Sequence, residues 1–136
     1  MSRVLVDTGP LVAILSRRDH FHSICVETLK TVVPPLLTCW PVLTEAAWLL
    51  RGEPAAVKRL LGSADGSLLS LLPLDGSEAA KISAILERYR QIRPQLADAV
   101  LVYLAERERI DTVFTLDRRD FSVFRLPGNR APRLLP

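Results

Sequence analysis

Cysteine is scarce in this chain, and the two present, Cys25 and Cys39, lack metal-ligand spacing. They read as buried thiols, neither a metal site nor a disulfide framework. Long apolar runs are missing too: no stretch reaches the roughly 18 residues of a membrane span. The opening MSRVLVDTGP has no leader-like apolar segment behind its charge, so a cytoplasmic protein is expected. Histidine is rare, and His20 and His22 lie near the start of a predicted helix, where they read as surface or capping groups. Repeats, low-complexity tracts and linkers are absent from the sequence. With 136 residues the chain is long enough for one real core and too short for two, so 1–136 reads as a single domain.

What is present is apolar and basic. Hydrophobic residues make up 49% of the chain and mean hydropathy is +0.20, which leaves apolar surface over for another chain, either a partner or a homodimer. Net charge is +3, from 18 basic and 15 acidic residues. Four of the acids fall inside apolar segments; without them the balance is 18 against 11, a surface excess of +7. Fifteen of the basic residues are arginine, the side chain whose planar fork matches phosphate, although a GC-rich genome produces the same bias. A basic surface around an acidic site suits a polyanion that meets metal ions where it is cut.

The spacing predicts strands alternating with helices. RVLVD, then Thr8-Gly9-Pro10 and LVAIL, reads as buried strand, turn and helix, with Pro10 suited to the first helical position. A helix follows over 19–33 with Phe21, Ile24, Cys25, Thr28 and Leu29 on one face, stopped by Pro34-Pro35. Further helices are expected over 41–50, 54–61, 77–91 and 96–109, and strands over 36–38, 68–72 and 112–115. DFSVFRL is a helical turn or an edge strand, and the tail carries one last short strand. Such alternation implies a parallel sheet covered on both faces.

The four acids are Asp7 in VLVDTGPL, Glu45 in VLTEAAWLL, Asp98 in LADAVLVYLA and Asp117 in VFTLDRRDF. Each has a bland explanation. Asp7 before Gly-Pro can cap a helix, Glu45 and Asp98 can complement a helix dipole, and Asp117 can be a turn residue. Glu45 resists this most, because Trp48 and Leu49 at i+3 and i+4 put it on an apolar stripe. Asp98 shares a face with Leu101, Val102 and Ala105. Two strand ends and two helix starts meet at one edge of a parallel sheet, so all four can enter one crevice. Unbalanced, they would raise one another's pKa values, and Mg²⁺ or Mn²⁺ would remove the conflict.

In this order and spacing the segments VLVDTGPLVAIL, DHFH, TEAAWLL, LADAVLVYLAER and FTLDRRDF resemble the PIN-domain ribonucleases, above all the VapC-type toxins of toxin-antitoxin pairs. The resemblance covers nearly the whole chain and implies a PIN-like, three-layer α/β/α sandwich around a mainly parallel central sheet. It implies a Mg²⁺- or Mn²⁺-dependent endoribonuclease that hydrolyses RNA phosphodiesters with metal-activated water, leaves a 5′-phosphate, and is covered by an antitoxin. The family's acids fall on Asp7, Glu45, Asp98 and Asp117: Asp7 and Asp98 as direct ligands, Glu45 and Asp117 directly or through water. Thr8, Thr115 and Asp120 would support them from behind. Read from the residues themselves, Arg118, Arg119 and Arg125, with Arg130 and Arg133, either meet phosphates of the RNA or belong to a solvated tail. One ion or two fits equally well.

Other classes remain in view. A haloacid-dehalogenase-like phosphatase also begins with strand and Asp, but it needs a second Asp two residues on, where this chain has Gly9. A catalytically silent binding module would be expected to have lost acids. A PIN-type nuclease in RNA processing, or one that cuts DNA, would use the same residues. The apolar residues Trp48, Leu49, Leu50, Leu60 and Leu61 either fill the core or form a groove for a partner helix or second copy.

Overall fold

The computed structural model describes residues 3–136. Five three-residue strands, β1 (Val4–Val6), β2 (Leu36–Thr38), β3 (Leu69–Leu71), β4 (Thr112–Phe114) and β5 (Arg133–Leu135), form one sheet in the order β3-β2-β1-β4-β5. Every pairing in it is parallel. β1, β2 and β4 are buried along their whole length, which is why they read as unbroken runs (VLV, LLT, TVF) rather than as alternation.

Between the strands run α1 (Thr8–Leu15), α2 (His22–Leu29), α3 (Trp40–Leu49), α4 (Pro54–Gly62), α5 (Ala79–Arg88), α6 (Leu96–Glu108) and α7 (Arg118–Phe121). They complete the expected α/β/α architecture. α6 is the most deeply placed: every residue from Ala99 to Ala105 is buried. Among the described residues no helix is long and apolar enough to cross a membrane.

The chain leaves β1 toward β2 and β3 on one side, and β4 and β5 fill the other. Sheet order therefore switches at β1, and the crevice outside the C-terminal ends of β1 and β4 is where such sheets take ligands.

Four segments depart from the sequence reading. Thr8-Gly9-Pro10, expected as a turn before a helix starting at Pro10, is already the first turn of α1, because the Asp7 side chain caps the helix two residues earlier. The helix expected over 19–33 is confined to α2, because the Asp19 carboxylate accepts the Phe21 amide at 2.8 Å and holds that stretch in a turn. Its face is also narrower than expected: Cys25 is buried, whereas Phe21 and Ile24 are exposed. The helix expected over 77–91 splits into a 3₁₀ turn (Gly76–Glu78), α5 and a second 3₁₀ turn (Arg90–Ile92). Asp75 starts it by accepting the Ser77 amide, and Glu78 accepts the Asp75 amide in return. In DFSVFRL only Asp120 and Phe121 are helical, as the end of α7, and Leu126 pairs with Arg130 in an isolated bridge; Phe121 and Phe124 bury edge to face, 5.0 Å between ring centres. The last strand is β5, at the sheet edge.

Leu50 and Leu60 fill the core, but Trp48, Leu49 and Leu61 do not: all three are exposed, as are Trp40 and Leu96. Trp48 is 63% exposed, with the Arg51 guanidinium 3.9 Å over its ring. Cys25 and Cys39 are free and buried, and burial pushes both thiols up to about 11.

Candidate metal centre

Asp7 follows β1 directly, and its amide donates to the Phe114 carbonyl of β4 at 2.9 Å. It is also the N-cap of α1, so the capping role and the site role fall on one residue. Oδ1 accepts the Thr8 amide at 2.8 Å and Oδ2 accepts the Thr115 hydroxyl at 2.8 Å. Asp117 is reached through the same threonine, whose oxygen accepts the Asp117 amide at 3.0 Å. Asp98 occupies the third position of α6, where Oδ2 takes the Gln95 amide at 3.1 Å. Glu45 lies in the second turn of α3, beyond the first-turn placement that a dipole explanation needs.

These acids meet. Asp7, Glu45, Asp98, Asp117 and Asp120 line one crevice of about 500 Å³, walled by Gly9, Leu49, Arg93, Gln95 and Leu116. One oxygen each from Asp98, Asp117 and Asp120 lies within 4.8 Å of the other two. Ligand oxygens about 2.1 Å from one small cation are separated by roughly 3 to 4 Å, so this spacing is close to a coordination sphere. Asp120, placed behind the ligands on sequence grounds, stands in the tightest triad.

The electrostatics are unfavourable as they stand. Burial raises the pKa of Asp7 most; the Thr8 amide and Thr115 hydroxyl pull it back, and Glu45 and Asp117 push it up. Asp98 is pushed up to about 6, first by burial and then by the charge of Asp7, with Asp117 and Asp120 adding to it. Glu45 is raised by burial and by Asp98, and Asp120 by burial and by Asp117. Thr8 Oγ1 adds another unmet demand: its residue lines the crevice and is 3% exposed, and the buried hydroxyl has no hydrogen-bond partner among the described residues. The Thr8 amide, rather than its hydroxyl, supports Asp7.

Hard carboxylate oxygens with no histidine or thiolate among them fit Mg²⁺ or Mn²⁺ in donor chemistry and in spacing. His22 is occupied elsewhere, its Nδ1 donating to the Ala13 carbonyl at 2.7 Å, and His20 is exposed.

The sequence profile of the PIN domain family matches residues 4–125. The chain belongs to the PIN domain family. Across 98% of this PIN domain and the full length of the relative, it is 28% identical to Ribonuclease VapC26 of Mycobacterium tuberculosis. The crystal structure of Mycobacterium tuberculosis VapC20, a Sarcin-Ricin loop cleaving toxin, superposes with a TM-score of 0.78 at 16% identity, over 85% of this chain and 90% of that one.

The arginines expected to meet phosphate lie outside the crevice lining. Arg118 donates to the Pro136 carbonyl at 2.6 Å, and Arg125 to the carbonyls of Ser122 and Phe124 at 2.5 and 2.9 Å. Neither they nor Arg119, Arg130 and Arg133 line the crevice; Arg93 does. Periodicity could not single out Arg93, because what brings it to the wall is a left-handed residue between the 3₁₀ turn and Pro94.

Proposed function

We propose that this PIN domain is a divalent-metal-dependent endoribonuclease and the toxin of a type II toxin-antitoxin pair, acting as one unit over residues 1–136. The observation that carries the reading is the convergence of five carboxylates on one crevice, which Thr8 with its unsatisfied hydroxyl also lines. The ribonuclease VapC26, similar over nearly the whole chain, supports RNA as the substrate.

Asp98, Asp117 and Asp120 are the residues closest to a shared ligand position, and Asp7 and Glu45 complete the acidic lining. Mg²⁺ or Mn²⁺ bound there would supply a Lewis acid and an activated water for in-line displacement at phosphorus. The Thr8 amide and the Thr115 hydroxyl hold the Asp7 carboxylate in place for an ion. Leu49 and Leu116 shed water from the crevice wall. The exposed Trp40, Trp48, Leu49, Leu61 and Leu96 are the surface on which an antitoxin segment, or a second copy in a homodimer, would bury apolar area. Cytoplasmic residence accords with such partners.

The test is cleavage of RNA by the purified protein with Mg²⁺ or Mn²⁺, its arrest by EDTA, and its loss in Asp7→Asn and Asp98→Asn. Activity unchanged by both substitutions would refute the reading.

A further inference from the structure

The crevice has five carboxylates in its lining and one guanidinium, that of Arg93. Among the described residues Arg93 makes no side-chain hydrogen bond and no ion pair within 4.0 Å, although Asp98 is five positions away on the same wall. Many other arginines are engaged, Arg107 with Glu78 and Glu108, Arg88 with Glu106, Arg90 with Glu87, Arg118 and Arg125 with main-chain carbonyls; Arg17, Arg18, Arg109, Arg119 and Arg133 are as free as Arg93 among the described residues, but none of them lines the crevice. A cation in an acidic crevice that pairs with none of its acids keeps its charge and its donors for a ligand.

Its backbone points the same way. Arg93 has φ 51 and ψ 58, left-handed values that glycine adopts at no steric cost and a side chain resists. Pro94 follows and restricts the chain further, so the side chain leaves a stiff turn directly at the crevice wall. An RNA strand with one phosphodiester above the acids must pass its neighbouring phosphates along that wall. There the acidic field repels them, and a bidentate donor offsets the repulsion.

We infer that Arg93 binds the phosphate next to the scissile phosphodiester and so sets the path of the RNA strand across the crevice. This rests on the ribonuclease reading. The contact is made to the bound strand before and during cleavage, so it governs RNA affinity and leaves the chemical step largely alone.

The experiment compares wild type with Arg93→Lys, Arg93→Ala and Arg93→Gly. The readouts are steady-state cleavage, binding of a labelled single-stranded RNA with Ca²⁺ in place of Mg²⁺ at several salt concentrations, and thermal midpoint. Arg93→Ala should raise KM and weaken binding roughly 10-fold with kcat nearly unchanged. It should also lower the slope of log affinity against log salt by about one. Arg93→Lys should keep the slope and recover part of the affinity. Arg93→Gly should match Arg93→Ala on RNA while melting higher than wild type, which separates loss of the contact from loss of the fold. Equal KM, affinity and salt slope in an active wild type and its variants would overturn the role of Arg93 alone. A wild type that neither binds nor cuts RNA would overturn the ribonuclease reading as well.

Discussion

Thr115 and Asp7 stand 108 positions apart in the chain and meet through one hydrogen bond of 2.8 Å, from the threonine hydroxyl to Oδ2. Because the same hydroxyl oxygen accepts the Asp117 amide at 3.0 Å, a single buried side chain sets two acids of the crevice. Thr115→Val keeps the shape and removes both contacts. Metal affinity, measured by calorimetric titration, should fall on the order of 10- to 100-fold. Stability should drop by about 1–3 kcal/mol, as expected when the buried Asp7 carboxylate loses a hydrogen-bond donor. Thr115→Ser should restore most of both, and a valine variant with wild-type metal affinity would show that the relay is idle.

Asp98 combines a functional demand with a cost to the fold. Its carboxyl is pushed up to about 6 by burial and by the charge of Asp7. Asp98→Asn should lower kcat/KM by about 10²-fold or more, in the range lost with other preorganised charge-stabilising groups. The same variant should melt higher than wild type in EDTA, because a repelled charge is gone. An asparagine variant less stable than wild type without metal would mean the carboxylate is not strained.

The sign of the pH dependence follows from the same residue. A carboxyl whose folded value lies above its ordinary 3.8 favours the fold while protonated, and that contribution is lost as pH rises through about 6. Metal-free wild type should therefore lose stability relative to Asp98→Asn between about pH 4 and 6, and Mg²⁺ should restore it increasingly toward pH 7 as protons stop competing. Thermal midpoints of both proteins in EDTA and in Mg²⁺ across that range would show the trend; parallel curves would contradict it.

Trp48 and Leu60 lie close in sequence and differ in burial, 63% against 0% exposed. Leu60→Ala should cost about 2–5 kcal/mol in chemical denaturation. Trp48→Ser should change stability by about 0.5 kcal/mol or less. It should instead weaken self-association or antitoxin binding, followed by sedimentation velocity. A Trp48→Ser protein with unaltered association would place the partner surface elsewhere.

Strands and acids were legible in the sequence for the same reason. A sheet buried on both faces leaves unbroken apolar runs, and a carboxylate beside such a run stands out, as at Asp7 and Asp117. Glu45 was legible on a mistaken premise: Trp48 and Leu49, which made its stripe look like core, are exposed, and Leu49 is a crevice wall. Helix ends were less visible where side chains compete with the helix, as when Asp19 takes the Phe21 amide. Arg93 was hidden because a single left-handed residue reverses the chain without leaving any periodic signal, and the charge-rich segment after Asp117 looked the better place for phosphate. Asp120 lay in plain view, but nothing in its spacing showed that α7 would turn it toward Asp98.

Pairing of β1 with β4 gathers the acids, and these two strands come from opposite ends of the chain. A ribosome making this protein releases Asp7 early, yet the crevice cannot close around it until the segment bearing Thr115 and Asp117 has left the exit tunnel. The nascent polypeptide thus carries its first acid without an assembled crevice until β4 has emerged and paired with β1.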